Sequence, residues 1–120
     1  MPSASIEISN KLLGDVISTA FDGGSVGWCV SAIHNQGRFN NSNPPWYAQA
    51  SFWGDGDLEI EVTDCDGEVT IVTYSSFRKN FKLFSEKYPT SLARIKDEQY
   101  DAIDADRLWQ FIVFGEMVYG

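Results

Sequence analysis

At 120 residues and 13.4 kDa, with 43% apolar and 14% aromatic residues, the chain is the size of one ordinary domain, spanning 1–120, and can bury a core without a disulfide or metal staple. Seventeen acids against nine bases give a net charge of −8, which disfavours direct binding to a phosphate backbone and favours basic surfaces on other proteins. The opening "MPSASIEIS" has no basic stretch before an apolar run, and no apolar stretch nears the roughly 18 residues of a membrane span, so a soluble cytoplasmic protein is expected.

In chain order, Leu12, Leu13, Val16, Ile17, Ala20 and Phe21 recur at helical spacing, which predicts a helix over 10–22 with Ser9 or Asn10 as N-cap. Gly23 then sits where a left-handed C-cap ends many helices, and a substitution there is expected to cost about 1 kcal/mol or more. "SVGWCVSAI" (25–33) reads as a strand, 34–45 as a polar loop, and "WYAQASFW" (46–53) as a second strand by its alternation. "LEIEVTDCDGEVTIVTY" (58–74) reads as a hairpin about Asp66-Gly67, with Val62 opposite Ile71 and Asp64 opposite Val69. That register puts Ile60, Val62, Val69 and Ile71 on one face, and Asp57, Glu59 and Glu61 on the other, wet face.

Phe77, Phe81, Phe84 and Tyr88 predict a helix from about Ser76 to Tyr88 that Pro89 stops, with a short helix over 91–98 after it. A last helix begins at Asp101 as N-cap, has Asp104 at its third position, and turns Leu108, Trp109, Ile112, Val113 and Met117 inward. The order of elements implies an α+β fold: an antiparallel sheet of about four strands, with the N-terminal helix and the C-terminal helices packed on one face.

The chemistry-bearing residues are sparse. His34 has no nucleophile or second acid at a catalytic spacing, and Cys29 and Cys65 have no partners at metal-ligand spacing, so neither a hydrolase or transferase activity nor a cofactor or metal is expected. "GGSVG" has the glycines of a phosphate loop, but the helix ends into them where a phosphate loop opens one. Trp28, Trp46, Tyr47 and Trp53 read first as core residues, with an aromatic pocket for a planar ligand as the alternative. The clearest anomaly is charge: Asp55, Asp57, Glu59, Glu61, Asp64, Asp66 and Glu68 fall within 55–68 with no base among them, while Arg78–Lys96 carries most of the basic residues. These seven acids are the candidate partner-binding stripe, with a solvated hairpin face as the alternative. Glu116, set in an apolar run after Gly115, is either a functional carboxylate or an exposed helix end.

"ISTAFDGGSVGWC" (17–29) and "YDAIDADRLWQFIVFGEMVYG" (100–120) together resemble a family of small, uncharacterised bacteriophage and prophage proteins. Members read as an apolar helix, an acid-Gly-Gly, a Trp-bearing strand, and a closing series of Asp-Ala, Ala-Asp, Phe-Gly-Glu and Val-Tyr-Gly. The resemblance covers about a third of the chain, both ends and not the acidic middle. It departs where the family has Glu for Asp22 and a Tyr-Trp pair for Gly27-Trp28. It implies a phage or mobile-element origin and brings no catalytic residues with it. Because both ends share one pattern, Asp22, Gly23, Gly24 and Trp28 could frame a small cleft with Glu116 and Tyr119, or the first and last helices could simply pack together. A small acidic phage protein without catalytic motifs is expected to inhibit host defence, as anti-CRISPR proteins do, by covering a nucleic-acid-binding surface on a defence protein. The alternative is a small-molecule module that holds a nucleotide or defence signal in its double-glycine loop. A homodimer stays open.

Overall fold

A computed structural model describes residues 8–35, 37 and 44–119. The chain runs α1 (Asn10–Thr19), a π-helical turn (Ala20–Gly24), β1 (Cys29–His34), a 3-10 turn (Trp46–Ala48), α2 (Ala50–Trp53), β2 (Glu59–Asp64), β3 (Val69–Thr73), α3 (Tyr74–Lys87), α4 (Pro89–Lys96) and α5 (Ala102–Phe114). This is an α+β architecture with an antiparallel sheet of three strands in the order β1-β2-β3. The polar loop expected over 34–45 lies for the most part outside the described residues.

The fourth strand expected over 46–53 is instead two short helical turns. Phe52 and Trp53 are neighbours and both fully buried, whereas a strand of a sheet with one solvated face sends successive side chains alternately inward and outward. A helical turn lets both enter the core, and the Trp53 indole N–H donates to the Tyr47 carbonyl at 2.8 Å to close it.

The hairpin slips by one residue from its expected register. Thr63 pairs with Val69, Val62 with Thr70, Glu61 with Ile71 and Ile60 with Val72. The cause is the turn. Asp64 Oδ1 accepts from the backbone N–H of Asp66 and of Glu68, and Gly67 takes φ 82°, so three residues rather than two lie in the loop. One residue of slip exchanges the faces of a strand. Val72 is therefore buried with Ile60 and Val62, while Val69 and Ile71 face outward beside Glu59 and Glu61.

Helix signals fare better. Ser9 caps α1 by accepting from Leu12 N–H at 3.0 Å. Thr73 caps α3 in a reciprocal box with Ser76, which starts that helix two residues earlier than the aromatic spacing implied. Asp101 and Asp104 form the same box at α5, which ends at Gly115. The core joins the inner face of the sheet to Leu13, Val16 and Ile17 of α1, Phe77 and Phe84 of α3, and Leu108, Trp109 and Ile112 of α5.

Gly23 does not take the left-handed conformation expected of it; among the described glycines only Gly67 and Gly115 have positive φ. The helix widens rather than stops. Ser25 N–H donates to Ala20 O five residues back, at 2.8 Å, and the wider turn delivers the chain to Trp28.

Candidate functional site

Two constellations compete for attention, and the first is the outer face of the sheet. β2 is the central strand, and its alternation leaves Glu59 and Glu61 exposed on the side away from the helices. Cross-strand pairing sets Glu61 between Ile33 of β1 and Ile71 of β3, and Thr63 between Ser31 and Val69. Ile33 is 60% exposed, Val69 54% and Ile71 46%.

The seven acids of 55–68 do not form one uniform stripe. Asp64 is buried and caps the hairpin turn, and Asp55 accepts from Asp57 N–H at 2.9 Å. Asp66 accepts from the Tyr119 hydroxyl at 3.1 Å. Asp57, Glu59, Glu61 and Glu68 are exposed, and among the described residues none of these four carboxylates is held by a base or a hydrogen-bond donor. The open acids are therefore Glu59 and Glu61 on the outer face of the sheet, with Asp57 before β2 and Glu68 at the hairpin end.

The second constellation lies where the two ends of the chain meet. Trp28 is buried and stacks on Tyr119, ring centroids 5.5 Å apart and planes 7° from parallel. Asp22 and Glu116 do not join them. Both are exposed without a side-chain partner among the described residues, and Glu116 borders a different concavity, with Tyr88 and Phe111, from the one that Gly24 and Tyr119 share. Gly24 serves packing: a Cβ built there would run into the Ala102 carbonyl oxygen of α5, whereas one at Gly23 would meet nothing.

Two residues not singled out from the sequence organise this junction. Asp106 accepts from Ser25 Oγ and from the Trp28 indole N–H, each at 2.7 Å, through one carboxylate oxygen, and from Gln110 Nε2 at 2.9 Å through the other. Gln110 is fully buried. Its carbonyl oxygen accepts from the N–H of Val118 and Tyr119, and its amide donates to the Tyr119 carbonyl at 2.9 Å. A polar residue inside the apolar run "LWQFIV" was the available signal, since a buried amide needs partners. Burial foremost, and then the bond to Asp66, raises the Tyr119 phenol above its ordinary value.

No protein-family model, curated protein or solved structure matches the chain.

The remaining chemistry is quiet. Cys29 lies under the Trp109 indole N–H at 3.5 Å, and burial raises its thiol pKa, which keeps it protonated and unreactive. His34 ends β1 with its ring 5.0 Å from that of Trp46 and 5.6 Å from that of Phe52. Among the described residues, no group of three or more His, Cys, Asp or Glu is placed to hold a metal ion, and no helix is long and apolar enough to cross a membrane.

The Gln110 geometry makes a prediction. Gln110→Ala removes three hydrogen bonds to the main chain of 118–119 and should lower stability by about 2 kcal/mol. Amide protection at Tyr119 should be lost first, read by hydrogen exchange, while Glu116→Ala should stay within about 0.5 kcal/mol of wild type. Equal effects from the two changes would contradict the assignment.

Proposed function

We propose that the protein is a non-catalytic inhibitor that docks on a basic, nucleic-acid-binding surface of a host defence protein. The resemblance of its two ends to small phage proteins makes an anti-CRISPR role the leading form of this reading. The observation that supports it is the pair of exposed, unneutralised carboxylates at Glu59 and Glu61 on the uncovered face of the sheet, with Asp57 and Glu68 exposed at the two ends of the hairpin. Carboxylates arranged this way raise association rate and select partners of opposite charge, and they need no contact with nucleic acid itself.

The test is charge reversal. The triple variant Asp57→Lys, Glu59→Lys, Glu61→Lys should fold like wild type, because all three side chains are exposed. It should lose protection of a CRISPR-targeted phage in a plaque assay. Binding of the wild type to its target should also weaken steeply as ionic strength rises. A triple variant that protects as well as wild type would leave the acids as solvent decoration.

A second reading has one observation in its favour. A concavity of about 210 Å³ opens beside the π-helical turn, lined by Phe21, Ser25, Val26, Ala32, Trp46 and Tyr47 among others. Its aromatic wall suits a small planar ligand, although it falls below the roughly 300 Å³ at which drug-sized sites begin. A nucleotide screen read by melting temperature separates the readings, because a ligand of this pocket stabilises the fold independently of the acidic face.

A further inference from the structure

The outer face of the sheet carries more than charge. Its central strand presents Glu59 and Glu61, and the strands on either side present Ile33, Val69 and Ile71, all exposed and none covered by any described element. A solvated sheet face is ordinarily polar on all its strands, so Glu61 set between Ile33 and Ile71, with Val69 beyond and Glu59 beside Thr73, asks for an occupant.

We propose that this face receives a cationic α-helix of another protein, lying along β2, with a ridge of Arg or Lys over Glu59 and Glu61 and apolar side chains on both sides of that ridge. The proposal rests on the inhibitor reading and names the partner's contact chemistry. Three dimensions carry it. Glu59 and Glu61 are two residues apart on a strand, about 6.7 Å. Basic residues at i and i+4 of a helix rise about 6.0 Å, so each carboxylate meets one cation. Ile33 and Ile71 lie on either side of Glu61, two strand spacings or about 9.5 Å apart. A helix with its side chains is about 10–12 Å across and rests on both. The flanks also shield the ion pair at Glu61 from water, and the long stem of its Arg or Lys has apolar surface to lie on.

Two labelled synthetic helical peptides test the geometry directly. Each carries Arg at i and i+4. In one the ridge is flanked by Leu on both sides, and in the other by Gln, so their charges are equal. By fluorescence anisotropy, the Leu-flanked peptide should bind wild type about tenfold more tightly than the Gln-flanked one. Ile33→Thr with Ile71→Thr should erase that preference and leave the Gln-flanked affinity unchanged, threonine being chosen because it retains strand propensity. Glu59→Gln with Glu61→Gln should weaken both peptides. Equal affinities in wild type, or a preference that survives the threonine changes, would overturn the proposal. So would a wild-type dimer in sedimentation that the threonine changes dissociate, since a second copy of the chain would then own the face. If the peptides behave as expected but the lysine triple variant still protects phage, the docking face stands and the inhibitor reading falls.

Discussion

Asp104→Asn is expected to lower the unfolding free energy by about 2–3 kcal/mol near neutral pH, and to change how stability responds to acid. Asp104 is fully buried between α4 and α5 and accepts from Ser91 Oγ at 2.8 Å, from Arg94 Nε at 2.8 Å and Nη2 at 2.6 Å, and from Asp101 N–H at 3.2 Å. Breaking a fully buried ion pair costs about 3–5 kcal/mol. Here the Arg94 side chain is 43% exposed and regains water when its partner is lost, which places the loss at or below the low end of that range. The bonds from Arg94, followed by those from Ser91 and Asp101, outweigh desolvation and hold the Asp104 carboxyl at about 2 against an ordinary 3.8. A carboxyl with a depressed folded value contributes stability above its unfolded value and loses it as pH falls through the folded one. Wild type should therefore exceed the variant by a constant margin above about pH 5, and the margin should shrink between about pH 4 and pH 2. Urea unfolding at three pH values measures this. A margin that does not change with pH would mean that hydrogen-bond geometry, not charge, holds the two helices.

The second large effect separates two adjacent glycines. Gly24→Ala should cost about 2–3 kcal/mol, because the new Cβ meets the main chain of α5 at Ala102, which cannot step aside as a flexible side chain could. Gly23→Ala should be neutral or stabilising by up to about 1 kcal/mol, since its φ is not positive and nothing lies within 4 Å of the added methyl. Thermal unfolding of the two single variants decides it. A larger loss at Gly23 would restore the left-handed cap that its position after an apolar helix suggests.

That reversal shows what the amino-acid order could and could not reveal. Spacing located α1, α3 and α5 because their apolar residues repeat every three or four positions, and Asp101 with Asp104 marked the start of α5. The hairpin was visible from Asp66-Gly67, but its register depended on the Asp64 carboxylate bonding two backbone N–H groups, a side-chain choice that alternation does not encode. That single unread interaction is why Val69 and Ile71 belong to the outer face rather than the core. "WYAQASFW" misleads because aromatics favour strands in general, whereas here two adjacent ones share a core. At the candidate site, Glu59 and Glu61 were legible as exposed acids, while their apolar neighbours were not, since those come from strands paired at a distance. The junction of Trp28 with Tyr119 was anticipated only as a shared pattern of the two ends; of its organisers, Asp106 depends on contacts across about eighty residues, while Gln110 folds the last segment back onto its own helix.

The clasp built by Gln110 also orders the birth of the fold. The sheet is a local meander that can pair as soon as residues 29–73 are available. The Ser25 hydroxyl and the Trp28 indole N–H have no side-chain partner until Asp106 arrives, and the Trp28 ring has no parallel stack until Tyr119 does. During synthesis α1 can meet the turns at 46–53 early, but the π-helical turn that follows it cannot be locked onto α5 until nearly the whole chain has left the ribosome. A stop codon placed before Asp106 should yield a protein that is recognised as unfinished, kept by chaperones or degraded, rather than a smaller working version of this one.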